Sequence, residues 1–516
     1  VSTSTNSQGK FELSPGQLDP GSSRKDLVRQ RSGLAAGVLL GLIVFFIMPS
    51  DLPYELRATA GSAVLIAVWW MTEAIPLAAT ALMPLILFPA LGLAEIGDFS
   101  GNYAQPTIFL FMGGFMLAMA MQRWNLHKRI ALWVLSLMGS STKMLVLGFM
   151  IATGFLSMWV SNTATAVMML PIGVSVLVMI RKVVKEDREG ESADDVTEEN
   201  TDPGSTKFGI ALMLGIAYAA SIGSLGTIIG TPPNTMLVAY LSDAHDINIG
   251  FGQWMLFGVP IAVVLMLIAW VLLTMVLFKP EVTTVPGGRQ LMMQERKNLG
   301  RMSTGEVRVL LVFVTAAFSW IFVPVIWEDT MIADAVIAMM VGIALFIIPG
   351  GPDGVKLLTW DDALGLPWGV LLLFGGGLAL SSQLSASGVS EWIGEQMSTV
   401  GTLPLFLIIG ALAMVVLILT EFTSNTATAA TFLPLAGGVA LAIGIDPMLL
   451  AIPVALAATS AFMMPVATPP NAIAYGSGYV TMNSMLKAGL WLNVAALIVI
   501  TLATYFMVGA IFGIEY

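Results

Sequence analysis

The pentapeptide Ser-Asn-Thr-Ala-Thr occurs twice in the chain, at Ser161 to Thr165 and at Ser424 to Thr428. Both copies are polar islands in apolar tracts, which run on to Met169-Leu170-Pro171 and to Phe432-Leu433-Pro434. Small polar side chains in hydrocarbon are costly unless they are paired inside the protein or face a water-filled cavity. A duplicated polar segment therefore points to one binding site assembled from two related halves, as in many secondary transporters. Ser, Thr and Asn offer neutral oxygens suited to a hard monovalent cation, and Asn and Thr also donate to carboxylate. Neither copy contains Lys or Arg, so an anion held there needs helix dipoles, amides and co-bound cations. Anion binding that depends on cations is the physical root of symport.

The duplication extends beyond the pentapeptide. Phe111-Met112-Gly113-Gly114-Phe115 corresponds to Phe374-Gly375-Gly376-Gly377-Leu378, and 48 positions separate Gly113 from Ser161 as they do Gly376 from Ser424. Downstream, Thr231-Pro232-Pro233-Asn234 corresponds to Thr468-Pro469-Pro470-Asn471, 70 positions after Ser161 but 44 after Ser424. The extra length of the first half matches a hydrophilic insert at about 181–206. Proline removes a donor and clashes with the preceding turn, so each Thr-Pro-Pro-Asn should mark an unwound stretch in a helix. The glycines of Ile222-Gly223-Ser224-Leu225-Gly226 lengthen the first break. The glycine pairs inside the spans read as close helix packing or hinges rather than phosphate loops.

The elements that must position these segments are transmembrane helices. Hydrophobic residues make up 56% of the 516 and charged ones 11%, with mean hydropathy +0.85; soluble domains carry about 25% charged residues. The chain reads as an all-α polytopic membrane protein, with spans of about 20 residues each. They are expected near 33–49, 55–70, 72–92, 106–122, 207–241, 253–278, 306–327, 330–350, 365–384, 450–480 and 487–512. Two further tracts, 144–180 and 403–441, are too long for one simple span and polar at the centre. They read as re-entrant hairpins with the pentapeptides at their tips, giving about 11 spans plus two hairpins.

Charge sets the expected orientation. Arg24, Lys25, Arg29, Arg31, Arg123, Lys128, Arg129, Lys143, Lys207, Lys279, Arg308, Lys356 and Lys487 fall on one side of such a topology. The opposite loops carry acids such as Asp51, Glu55, Glu95, Asp98, Asp243, Asp246, Glu391 and Asp446, and only Arg57 breaks the pattern. The positive-inside rule makes the basic side cytoplasmic, with the N-terminus inside and the C-terminus outside. An odd number of spans between the halves inverts the repeat.

The expected organisation follows. Residues 1–32 form a disordered cytoplasmic tail, 33–143 and 306–402 scaffold helices, 144–180 the first hairpin, and 181–206 an acidic loop. Segment 207–278 holds a broken helix and its successor, 279–305 a cytoplasmic linker, and 403–516 the second hairpin, broken helix and last helix. The net charge of −10 comes largely from acids such as Glu186, Asp187, Glu189, Glu191, Asp194, Asp195 and Glu198 in that one loop. It reads as solvated chain, not as a partner surface.

Other chemistries find little support. The chain has no cysteine and two histidines, His127 and His245, without a ligand pattern around them. A serine nucleophile would need a base, and neither pentapeptide has His or Lys beside it. No enzyme is expected. Ser-Asn-Thr-Ala formally offers an N-glycosylation acceptor, which membrane depth disfavours. Glu421 adjoins the second pentapeptide and is either a proton carrier or a hydrogen-bonded packing residue.

The paired Ser-Asn-Thr motifs, the segment Thr72-Glu73-Ala74-Ile75-Pro76-Leu77, the Ser-Ile-Gly stretch at Ser221 and the Thr-Pro-Pro-Asn units resemble the divalent anion:sodium symporter family over about residues 33–512. That family includes INDY-type dicarboxylate transporters and animal citrate transporters. The resemblance implies a homodimer in the cell inner (plasma) membrane, working by an elevator mechanism, with Na+ as the coupling ion. It implies one sodium site at Ser157, Ser161, Asn162 and the Gly223 backbone. A second would use Thr420, Thr423, Ser424, Asn425 and the Ala467 backbone. Substrate carboxylates would meet Asn162, Thr163, Ser224, Asn425, Thr426 and Pro469. The expected function is sodium-coupled symport of C4-dicarboxylates such as succinate, malate or fumarate. A dicarboxylate/2-oxoglutarate exchanger, a citrate or sulfate carrier, and a sensor or channel on the same fold are the alternatives.

The acidic loop should be dispensable, because it holds no motif and flexible insertions cost little in closure entropy. Replacing residues 187–202 with a Gly/Ser linker should leave transport and apparent substrate affinity unchanged in proteoliposomes. Lost activity in well-expressed protein would assign the loop a gating role.

Overall fold

The structure is a computed structural model that describes residues 24–137, 141–188, 206–281, 283–284, 293–294, 297–327, 331–352, 354–396 and 403–514. The expected tail up to residue 23, most of the acidic segment (Glu189, Glu191, Asp194, Asp195 and Glu198 among it) and much of the 279–305 linker lie outside these. The described residues are helical, with two isolated β-bridges, Ser141 to Thr284 and Pro349 to Lys356, and no strand. The first helix, Arg24–Ile47, starts well before residue 33. Part of the expected tail is thus helical.

Seven helices among the described residues are long and apolar enough to cross a membrane: Asp26–Ile47, Ile96–Arg123, Lys207–Ser224, Phe251–Leu277, Thr304–Pro324, Trp368–Ala386 and Met482–Phe512. The span expected at 55–70 is one 19-residue helix, and other expected spans resolve into shorter pieces, each for a local reason. Tyr54–Thr72 ends where Glu73 turns left-handed at φ 47°. The tract expected at 72–92 then becomes Leu77–Thr80 and Pro84–Ala90, interrupted at Pro76 and Pro84, which cannot donate to a preceding turn. The span expected at 330–350 is the 14-residue helix Asp334–Ile347, about 21 Å at 1.5 Å per residue. Those at 207–241 and 450–480 each divide in two at the Thr-Pro-Pro-Asn unit.

Each pentapeptide sits at a turn between two helices. Thr142–Ser157 leads through Met158 to Ser161 into Asn162–Arg188, and Leu405–Thr420 leads through Glu421 to Ser424 into Asn425–Ala442. Lys207–Ser224 lies at the centre of the molecule and is buried from Phe208 to Ser224. A helix apolar on every face can only be stable surrounded by protein or lipid, and this one is surrounded by protein. It packs on Thr142–Ser157, Asn162–Arg188 and Pro469–Gly476. Pro232–His245 packs on Asn425–Ala442 and Met448–Thr459, so the two halves interlock. By contrast, Arg24–Ile47 exposes Leu39, Leu42, Phe46 and Ile47, an apolar surface suited to lipid.

Glycines permit the closest crossings. A Cβ on Gly113 would fall on the backbone of Ala338, and one on Gly376 on the backbone of Ala81, at equivalent positions of the repeat. At Gly223 it would fall on the backbone of Gly154. Backbone cannot move aside as a side chain can, so Gly223→Ala should cost about 1–3 kcal/mol through overpacking. Its melting temperature in detergent should drop, whereas Gly252→Ala, whose nearest neighbour would be Ile321 Cα at 3.4 Å, should melt like the parent protein.

Candidate functional site

The two turns and the two helix breaks meet at one cavity of about 810 Å³. Its lining includes Ser161, Asn162 and Thr163 from the first turn, Thr423 to Thr426 from the second, Gly230 to Pro232 from one break, and Ala467 to Pro470 from the other. Met119, Gln122, Gly365 and Pro367 line it too.

Local sequence explains why helices begin here. Thr231 (φ −146°, ψ 144°) and Thr468 (φ −142°, ψ 147°) are extended residues ahead of paired prolines at the first helical positions. Proline's fixed φ suits that position, where its missing N–H is no loss. The Thr468 hydroxyl accepts from Asn471 N at 3.3 Å. Asn234 and Asn471 then tie the unwound carbonyls together. Asn234 Nδ2 donates to Ser224 O at 3.3 Å and Thr227 O at 2.9 Å, and Asn471 Nδ2 donates to Ala461 O and Met464 O, both at 3.1 Å. Both amides are fully buried. In the sequence both Asn stand out only as members of the Thr-Pro-Pro-Asn units.

Four helices therefore start at the cavity: Asn162–Arg188, Asn425–Ala442, Pro232–His245 and Pro469–Gly476. First-turn N–H groups lack intrahelical partners and carry the positive end of the helix dipole. A dianion there would meet four such ends.

Behind the cavity wall, helix C-termini present oxygens instead. Ser157 Oγ lies 2.8 Å from Asn162 Oδ1 and also contacts Ala220 O. Thr420 Oγ1 repeats the arrangement, 2.8 Å from Asn425 Oδ1 and 2.7 Å from Ala458 O. Each hydroxyl has one proton for two acceptors, so three oxygens converge with a single hydrogen among them. Such a cluster suits a hard cation without further rearrangement of charge. Ser157 and Thr420 are fully buried.

The expected site residues divide accordingly. Ser161, Asn162, Thr163, Thr423, Ser424, Asn425, Thr426, Ala467 and Pro469 line the cavity. Ser157, Thr420, Gly223 and Ser224 lie buried behind it. Ser224 accepts from Asn162 Nδ2 at 3.3 Å and donates to Ser221 O at 2.7 Å, so it supports Asn162 from behind. The carbonyls that meet the two hydroxyls belong to Ala220 and Ala458. Neither alanine carries a sequence signal, since a carbonyl ligand places no demand on its side chain.

Glu421 is 2% exposed. Its carboxylate accepts from Phe462 N at 2.8 Å, Met463 N at 3.0 Å, Met464 N at 3.0 Å and Asn493 Nδ2 at 2.6 Å. It thus closes the donors that the second break leaves open and ties the second turn to the last helix. The first half has Met158 at this position, and there Met158 O accepts from Thr227 Oγ1 at 2.5 Å. The first turn is further held by Trp159, stacked on Phe251 at 6.0 Å, which stacks in turn on Trp320 at 4.7 Å.

Arg123, next in sequence to the lining residue Gln122, pairs with Asp362. Burial alone would raise the Asp362 carboxyl, but hydrogen bonds from Thr359 and the Arg123 charge hold it below the ordinary carboxylate range.

A cation held by the two oxygen clusters would stabilise the fold by mass action. Sodium chloride in place of choline chloride should raise the melting temperature of the purified protein. Asn162→Ala and Asn425→Ala should each shrink that rise. An undiminished rise in both variants would show that these oxygens hold no cation.

Comparison with known proteins places the chain. Residues 29–512 match the family model described as sodium:sulfate symporter transmembrane region. The sodium-dependent dicarboxylate transporter SdcS of Staphylococcus saprophyticus is 42% identical over 507 residues, covering 96% of this chain and 95% of that one. SdcS of Staphylococcus aureus is 42% identical over 503 residues, covering 94% of each. Among solved structures, the Alcanivorax borkumensis YdaH transporter, reported to have an unusual topology, matches with TM-score 0.53 at 14% identity. It covers 89% of this chain and 99% of that one, a likeness of fold. With its family model spanning nearly the whole chain and its paired turns and breaks gathered at one cavity, the protein belongs to the divalent anion:sodium symporters.

Proposed function

We propose that the protein is a sodium-coupled symporter of C4-dicarboxylates such as succinate, malate or fumarate. The observation that carries this reading is the paired oxygen cluster, Ser157–Asn162–Ala220 and Thr420–Asn425–Ala458, directly behind the four helix starts. Cations at the clusters would order the Asn side chains that also face the cavity. They would also offset the charge of a dianion, which costs several kcal/mol per unpaired charge in a medium less polar than water. Binding of one sign thereby requires the other.

The two helix-turn-helix segments act as re-entrant hairpins and, with the broken helices, as the moving body of an elevator. Mutual packing of these segments across the two halves supports that assignment. The remaining helices form the scaffold of a homodimer in the plasma membrane. The Arg29 and Arg123 face is cytoplasmic by the excess of basic residues on it, and the C-terminus is outside.

Replacing external sodium with choline should suppress succinate uptake into proteoliposomes, and the sodium dependence should be sigmoidal, because two clusters must fill. Asn162→Ala and Asn425→Ala should each abolish uptake, since water cannot replace a ligand oxygen and donor in the closed site. Thr420→Val should weaken sodium activation more than it lowers transport at saturating sodium. Uptake insensitive to sodium but accelerated by dicarboxylate on the opposite side would establish an exchanger instead.

A further inference from the structure

The segment Thr72-Glu73-Ala74-Ile75-Pro76-Leu77 contributes nothing to the oxygen clusters or the helix starts, yet it reaches the cavity. Glu73 lines the cavity with Arg29, and Arg29 Nη2 donates to Glu73 Oε2 at 3.0 Å. Among the described residues that line the cavity, Arg29 is the one base and Glu73 the one acid. Glu73 also holds a left-handed backbone at φ 47°. That conformation is unfavourable for a side chain bearing a Cβ.

We propose that Arg29 and Glu73 form an exchangeable ion pair through which the anionic substrate passes between the hairpin tips and solvent. A carboxylate of the substrate displaces Glu73 from the guanidinium on arrival, and Glu73 displaces the substrate on departure. Three observations carry this. First, the tips have no base, so a dianion leaving the helix starts meets its first full positive charge at Arg29. Second, the side chains of Arg29 and Glu73 are 50% and 43% exposed. Ion pairs so wetted are weak, so exchange costs little. Third, the guanidinium fork matches any carboxylate, and Asp26 stands 3.7 Å away as a second resident competitor. A base without these acids would hold the anion somewhat longer on its way out. With them, the substrate is passed on.

This inference rests on the dicarboxylate-transport reading and deepens it, and the two fail differently. Succinate uptake is measured in right-side-out and inside-out membrane vesicles, which present opposite faces. At the cytoplasmic face, Arg29→Gln should raise KM about five-fold and Glu73→Gln should lower it about two-fold, the scale of one exposed ion pair. KM at the outer face and kcat should stay near the parent values, and Arg29→Lys should recover part of the loss. Opposite signs are the decisive readout, because a merely structural pair would suffer in the same direction whichever partner is neutralised. Same-direction changes, equal changes at both faces, or no change overturn the exchange. Parent vesicles that take up no dicarboxylate overturn the transport reading itself.

Discussion

Every backbone N–H and C=O inside a bilayer must find a partner within the protein, and this constraint governs the site. Breaking a helix in hydrocarbon frees donors on one side and acceptors on the other, each costing several kcal/mol if left bare. The protein breaks two helices and turns two more, then meets the freed groups with a small set of side chains. Asn234 and Asn471 gather the carbonyls of the breaks, and Glu421 gathers the N–H groups of one. The groups left over are those that a ligand can satisfy. Helix starts face the cavity and helix ends face the buried hydroxyls, so the signs of the two ligands are set by chain direction alone.

The halves agree where ligands are expected and differ where each is anchored. Ser157 and Thr420 repeat one geometry down to the carbonyls of Ala220 and Ala458. Their surroundings diverge. The second turn is held by the Glu421 carboxylate and by Thr423 Oγ1, 2.7 Å from Thr428 Oγ1. The first, with Met158 and Val160 in those places, relies on Thr227 and a stack of aromatic rings. A charged acceptor holds its donors more firmly than a neutral carbonyl does. Matching oxygen clusters therefore stand on unequal supports.

Legibility in the sequence followed the kind of signal. The duplicated polar segments and the proline breaks could both be read, because each departs from an apolar background. Span boundaries fared worse. Hydropathy treats 72–92 as continuous, yet Pro76, Pro84 and the left-handed Glu73 divide it. In the same way 330–350 is apolar throughout much of its length but helical only over Asp334–Ile347. Composition measures what a segment can dissolve in, and backbone donors decide where a helix stops.

By itself, the sequence determined that this is a membrane protein with a repeated polar segment, that the repeat brackets an insert, and that neither copy of the pentapeptide contains a base. These are properties of residue type and spacing, which survive without coordinates. Tertiary structure alone decided which carbonyls meet Ser157 and Thr420, that Glu421 faces three amides across a helix break, and that Arg29 reaches Glu73 in the cavity. Partners 38 to 63 positions apart are joined in those contacts. Carbonyl and amide groups are the same in every residue, so nothing in the side-chain alphabet records which of them a fold will bring together.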